Sequence, residues 1–496
     1  MTSIHTTRHF KALAASGAAA MLVACSTAGS SSEPVSLDQA SQALKVSQTQ
    51  ALHIEATGRW FQFGQAPAPG LPWPAFDVSR YSADIDYAAP AARVQITRQQ
   101  VIEAGRERPA PADQSVDQYV AGTQAWNRGT AAATTQPAAL AERRAEIWST
   151  PQGFVKAAQA HQARTRATGD GTEVSFDVDA KTHYVGWLNA RGEVSRVQTW
   201  VDTPVLGDTL VETRFEAYQD FGGVPFPSRI VRSQGGHPVL ELKVAQVQAA
   251  LGAGTSLAVP AEVASARPAS VTVSSSKLAD GVYYLTGGTH HSVLIEQRDH
   301  LVIVEAPLNE ERSLAVIAKA RERAPGKPIK YLVNTHAHFD HSGGLRTFAD
   351  AGATIVTNAA NRPFYEQAWA APRSINPDQL ALSRKTPRFE TFTGKHVLSD
   401  GQRTIEIHDI AGNGHNDAFS LVYLPAEKVL VEADAYTPPA ANAPAPTSRN
   451  PYTTNLYQNV LRLKLDVTQI AALHGPRVVN LAELRSAAEV ANTALR

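Results

Sequence analysis

Six consecutive residues, His336-Ala337-His338-Phe339-Asp340-His341, place four side chains able to ligate a metal on one short turn. Three more follow at wide spacing: His415 in Gly-Asn-Gly-His, Asp434 in Val-Glu-Ala-Asp and His474 in Ala-Leu-His-Gly. Together they supply five imidazoles and two carboxylates, enough nitrogen and oxygen donors for two divalent ions of the zinc class. Each candidate lies just after a predicted strand: His336 after 331–335, His415 after 404–410, Asp434 after 429–432 and His474 after 469–473. Segments that end on the same edge of a sheet deliver such side chains to one place, and this requirement constrains the fold. His336 and His338, two residues apart, point the same way on an extended turn, while Asp340 and His341 turn toward a second ion. Ser342-Gly343-Gly344 then lets the backbone pass close to the site and opens a helix that ends near Gly352.

The His-x-His-x-Asp-His motif is the most specific signature of the metallo-β-lactamase superfamily, and the chain from about Leu278 to Arg496 resembles that family. The resemblance implies an αββα sandwich, two mixed sheets packed between helices. It assigns His336, His338 and His415 to one ion, Asp340, His341 and His474 to a second, and Asp434 to a bridging position. Asp340 is also the candidate catalytic residue. One departure is Glu305, where the family usually has Asp at the end of the strand as an orienting partner for a ligand histidine. The longer Glu can take that part, or it can be a plain surface-facing strand terminus. Gly287-Gly288-Thr289-His290-His291 forms a hairpin turn that overhangs the metals in the family. His290 and His291 are read as a solvated turn, with substrate contact as the alternative. Tyr436 is read as a packing residue, with hydrogen-bond donation to an oxyanion as the alternative.

A chain of 496 residues is long for a single core, so two domains are expected. Hydrophobic content of 43% with 19% charged residues indicates a folded, globular chain. Lys+Arg equals Asp+Glu at 46 each, so no basic excess is available for nucleic acid. Residues 1–25 read as a processing signal: Arg8, His9 and Lys11 precede an apolar run from Ala12 to Ala24. Leu22-Val23-Ala24-Cys25 resembles the lipobox of bacterial lipoproteins, which makes Cys25 the expected point of lipid attachment. Residues 26–35 are expected to form a flexible tether, and Ser26 fits passage to the outer membrane, with the protein in the periplasm. Cys25 is the single cysteine, so the matured chain has no disulfide, no thiolate ligand and no cysteine nucleophile.

The expected fold class is α/β: a mainly antiparallel β domain over 36–250, a linker over 251–270, and the αββα catalytic domain over 271–496. Ser36-Leu37-Asp38-Gln39 has the form of a capping box opening a helix through about Leu44. Segments 53–60, 173–178, 196–201 and 240–244 alternate apolar and polar positions, as half-buried strands do, and 222–227 marks a tight turn. A curved antiparallel sheet carrying one or two helices results, which loosely resembles the half-barrels of periplasmic lipoprotein carriers. Trp60, Phe61, Phe63, Trp73 and Phe76 line either an ordinary core or an apolar groove. Farther on, strands are predicted at 281–285, 292–296, 301–305 and 329–334, with helices at about 310–323 and 481–495.

Two zinc ions sharing a water lower its pKa and generate hydroxide at neutral pH. The expected activity is therefore zinc-dependent hydrolysis of an ester, thioester, amide or lactam bond in a small-molecule substrate. Asp434 favours glyoxalase II-like thioesterases over typical β-lactamases, which generally lack a bridging carboxylate there, whereas periplasmic location favours β-lactams. Two alternatives remain open: an oxidoreductase resembling the mononuclear-iron persulfide dioxygenases, and a non-catalytic metal-binding envelope lipoprotein. The related diiron flavoproteins usually carry Glu where this chain has His338. No sequence feature fixes an oligomeric state.

Overall fold

The alternating segments of the N-terminal half fold into one antiparallel sheet of thirteen strands, from Ala51–Phe61 to His237–Ala250. The computed structural model describes residues 34–130, 132–250, 257–267, 270–444 and 446–490. The signal segment 1–25 with Cys25, most of the 26–35 tether and part of the linker lie outside the described residues. No helix among the described residues is long and apolar enough to cross a membrane.

Strand Ala51–Phe61 sits centrally in the sheet, paired with Ala75–Asp86 on one side and His237–Ala250 on the other. The inward residues Leu52, Ile54, Phe226, Leu242 and Val247 meet Phe154, Val155 and Ala158 of helix Pro151–Ala160 in one core. That helix can lie flat because Gly186 offers no Cβ, which would otherwise come within 2.3 Å of the Phe154 ring. Helix Leu37–Ala43 opens with the expected capping box, Ser36 accepting from the Gln39 N–H. Helix Leu140–Trp148 packs on the sheet as well, so the sheet carries more helices than the one or two expected. The turn expected over 222–227 narrows to Gly222-Gly223, since Val224 already starts the strand Val224–Gln234. Part of the expected linker is packed structure: Leu257 and Val263, the latter on helix Ala261–Ala264, pack with Tyr119 and Trp126.

The C-terminal half holds two further sheets. The seven-stranded one runs antiparallel from Ser274–Ala279 to Leu301–Val304 and continues in parallel through Ile329–Val333 to Arg388–Phe392. The six-stranded one spans Lys395–Ser399 to Val478–Val479. Val293, Val302, Val333 and Val356 face Ile405, Leu421, Val429 and Ile470 across the sandwich. Their chain neighbours Leu294, Ile303, Leu332 and Ile355 point the other way, into helices Glu310–Arg323 and Leu345–Asp350. Burial on both faces explains why these strands read as unbroken apolar runs. Helices Pro451–Arg462 and Leu481–Ala488 cover the second sheet through Leu456, Val460 and Leu484, completing an αββα sandwich. The last helix ends at Ala488, short of the expected Leu495 (491–496 lie outside the described residues).

Candidate metal centre

The edge where these strands end gathers the donors. Strand Ile329–Val333 leads to Asn334, Thr335 and His336, and the motif then closes into a single helical turn, Phe339–Ser342, with His338 at its N-cap. Leu308 O and Ser313 Oγ lie 1.9 and 1.8 Å from where side chains on Gly343 and Gly344 would begin, so only glycine passes there. His415 comes from the loop between Thr404–Asp409 and Ser420–Leu424. Asp434 follows Val429–Glu432, and His474 follows Gln469–Ala472, two strands paired in parallel.

The structure brings all seven sequence-predicted residues together. Asp434 lies between two histidine sets. Its Oδ1 is 2.9 Å from His341 Nε2 and 3.1 Å from His474 Nδ1, whereas its Oδ2 is 3.0 Å from His415 Nε2 and 3.7 Å from His336 Nε2. Two donors bound at ~2.1 Å to one tetrahedral ion stand about 3.4 Å apart, and the four separations bracket that value. Ligand atoms of His336, His338, His415 and Asp434 fall within 4.8 Å of one another, as do those of Asp340, His341 and Asp434.

At His336 and His338 the protonation pattern suits metal ligation. His336 donates from Nδ1 to the Thr335 hydroxyl (3.0 Å), and His338 donates from Nε2 to the Ala66 carbonyl (3.0 Å). Each bond fixes a tautomer and leaves the opposite nitrogen as a lone pair directed into the site. His336 Nε2 and His338 Nδ1 are buried with no hydrogen-bond partner, an arrangement costly in a protein interior unless a cation or a donor meets those lone pairs. Burial and the neighbouring imidazoles hold His336 well below the usual histidine range and push His338 down to about 3, so both rings are neutral at neutral pH. His341 is opposite: burial lowers it, but Asp434, Glu305 and Asp340 outweigh that and raise it well above the ordinary value. Burial works against the charge on Asp340 and Asp434, yet the surrounding histidines keep both below the usual carboxylate range.

Glu305 is fully buried, not a surface terminus. It adopts a left-handed backbone (φ 72°), a strained conformation for a non-glycine residue, and its carboxylate accepts from Asn334 Nδ2 and the Thr335 hydroxyl. Its Oε2 lies 3.4 Å from His341 Nδ1, where it can orient that ring. His290 and His291 are likewise buried, against the expectation of a solvated turn. His291 donates to Gly475 O (2.8 Å) and braces the segment carrying His474. His290 donates from Nε2 to Asp340 Oδ2 (3.2 Å) and stacks on His474 with centroids 4.1 Å apart. Nitrogens of His290, His341 and His474 also meet within 4.8 Å, but both His290 nitrogens already have partners, Asp340 and Thr289, so its part here is to orient Asp340. The Gly287-Gly288 pair before it and the adjacent His291 were the available sequence signal. Tyr436 packs in the core between the sheets.

Two residues of the N-terminal domain also reach the centre. Gln65 Nε2 donates to Asp340 Oδ1 at 2.8 Å, and Ala66 O accepts from both His338 and Asn416. No pattern in the sequence announces them, because one acts through an ordinary amide and the other through its backbone.

Two mixed sheets between helices, with histidines and aspartates gathered at one sheet edge, define an αββα domain with a candidate metal centre. Residues 285–461 match the model of the metallo-beta-lactamase superfamily, and this C-terminal region belongs to that superfamily. His474 and the thirteen-stranded sheet lie beyond the matched span. A metallo-beta-lactamase type 2 of Elizabethkingia meningoseptica is 24% identical over 164 residues, 31% of this chain and 59% of its own length. A linear primary-alkylsulfatase of Pseudomonas sp is 27% identical over 75 residues, 15% of this chain and 11% of its own length. The chain thus spans less than two thirds of either relative. Among solved structures, a metallo-beta-lactamase from Hirschia baltica covers 44% of this chain and 97% of its own, at 20% identity and TM-score 0.33. Another from Pseudomonas aeruginosa in a mono-zinc form covers 45% and 97%, at 19% identity and TM-score 0.35.

Proposed function

We propose that this protein is a zinc-dependent hydrolase that cleaves an ester, thioester, amide or lactam bond in a small molecule. The observation that carries the reading is Asp434, whose two carboxylate oxygens face different histidine sets. His336, His338 and His415 would hold one ion, Asp340, His341 and His474 a second, and Asp434 both. Such a pair, when bound, supplies a nucleophile at neutral pH and polarises the scissile bond.

The remaining work falls to the chain. Glu305 fixes the His341 ring, and Thr335 and Ala66 fix His336 and His338. Asp340, oriented at one oxygen by Gln65 and at the other by His290, is the candidate catalytic carboxylate at the second position. His474, the most open of the donors at 39% side-chain exposure, marks the side from which substrate enters. Attachment through Cys25 at the periplasmic face of the outer membrane belongs to the same proposal, and Cys25→Ala should release the protein from the membrane fraction.

The deciding experiment is metal quantification on the purified protein, followed by chelation and a panel of ester, thioester, amide and lactam substrates. Two zinc ions per chain and activity lost on chelation are expected. Activity that survives complete metal removal overturns the reading. Stoichiometric iron with oxygen uptake on a persulfide would replace it with the dioxygenase class.

A further inference from the structure

We propose that the N-terminal domain forms part of the metal centre: the segment between strands Ala51–Phe61 and Ala75–Asp86 orients Asp340 and His338 and thereby governs metal affinity. This rests on the metal-dependent reading above and adds to it two positioning groups from outside the superfamily region, the Gln65 carboxamide and the Ala66 carbonyl.

The segment is held in place from several directions. Gly64 O accepts from the Phe339 N–H (3.1 Å), inside the histidine motif itself. Gly64 has φ +81°, and a Cβ there would come within 2.8 Å of the Phe339 ring, so both the backbone conformation and the close approach require glycine. The Phe339 ring is in turn boxed edge-on by Phe63 (5.2 Å) and Trp73 (5.7 Å), which also contact each other (5.1 Å). Pro67 O accepts from the Asp417 N–H, beside the loop that carries His415. A second N-terminal loop reaches the same place. Arg106 pairs in bidentate fashion with Asp417 (2.9 and 3.0 Å), Arg108 donates to the Tyr452 hydroxyl, and Glu107 O lies 1.8 Å from where a Cβ on Gly414 would sit.

The chemistry of the contacting groups fits a positioning role. His338 has one ring nitrogen bonded to Ala66 O, which leaves the other free for an ion. Asp340 is gripped at Oδ1 by a neutral amide. An Arg or Lys there would cancel the carboxylate charge and compete with a cation, whereas an amide orients the group and leaves its charge available.

The test uses the full-length chain with Gln65→Ala, Gln65→Met and Gly64→Val, titrated with cobalt(II) followed by visible absorption, and with zinc against a competing chelator. Gln65→Met keeps the side-chain length and removes the donor. Both Gln65 variants should bind the first equivalent with the wild-type spectrum and the second about 10- to 100-fold more weakly. Gly64→Val should weaken both equivalents. Melting of the metal-free forms reports whether each variant is folded, and if Gly64→Val is not, the Gln65 pair decides alone. Two equivalents bound by both Gln65 variants with wild-type affinity and spectrum overturn the proposal while leaving the hydrolase reading intact. Wild-type behaviour of Gln65→Met alone reduces the contact to packing and overturns it equally. A wild-type chain that binds no ion overturns both.

Discussion

Asp434 joins two otherwise separate sets of nitrogens, and its replacement should be felt by both. Asp434→Ala is expected to reduce bound zinc from two per chain to one or none and to lower kcat/KM by more than about 100-fold, read by elemental analysis and steady-state kinetics. Glu305 acts one step removed: its contact at 3.4 Å holds the His341 ring from below. Glu305→Gln should therefore cost about 10-fold in metal affinity with a smaller effect on folding, measured by chelator competition. Glu432 is a different kind of buried acid. Burial raises its pKa well above the usual carboxylate range, and one oxygen accepts from the Tyr436 N–H. It belongs to the packed interior under the site.

At the level of elements, the helix Glu310–Arg323 and the helix Leu345–Asp350 meet where Gly344 lies against Ser313. Gly344→Ala should force them apart and destabilise the protein by about 1–3 kcal/mol, seen as a lower urea midpoint. Strong local signals made elements of this sort legible in the sequence. Helix Glu310–Arg323 has its Asn309 cap and amphipathic spacing, and the strands of the sandwich are unbroken apolar runs. The gathering of His336, His338, Asp340, His341, His415, Asp434 and His474 was readable because His336, His415, Asp434 and His474 each follow a strand and the other three share the turn that starts at His336. What escaped was decided by tertiary contact. The motif's own helical turn and the burial of His290 depend on neighbours distant in sequence. Gln65 is the extreme case, 275 residues from the carboxylate it touches.

In the whole molecule, the two halves share contacts at the centre, so they should unfold together. Calorimetry is expected to show one transition for the zinc-loaded protein, moving to lower temperature on chelation as ligand linkage requires. Two transitions, with the earlier alone sensitive to zinc, would contradict this. The N-terminal core carries its own pH signature. Burial, aided by Glu146, raises Tyr81 to about 12, and burial raises Tyr184 and Tyr218 as well. Between pH 10 and 12 the unfolded chain has lost the Tyr81 phenolic proton that the folded chain keeps. Stability is therefore full below pH 10 and falls as pH rises toward 12. The buried tyrosines should give a late step in tyrosinate absorbance that coincides with loss of circular dichroism.

The strap bearing Gln65 and Ala66 leaves the ribosome long before the histidines it will grip. Since domains generally fold in the order they are made, the thirteen-stranded sheet presents a ready-made cradle to the nascent motif. On the proposed reading, a chain made without its metal would still hold Asp340 and His338 in position, and the ion would meet a site already shaped for it.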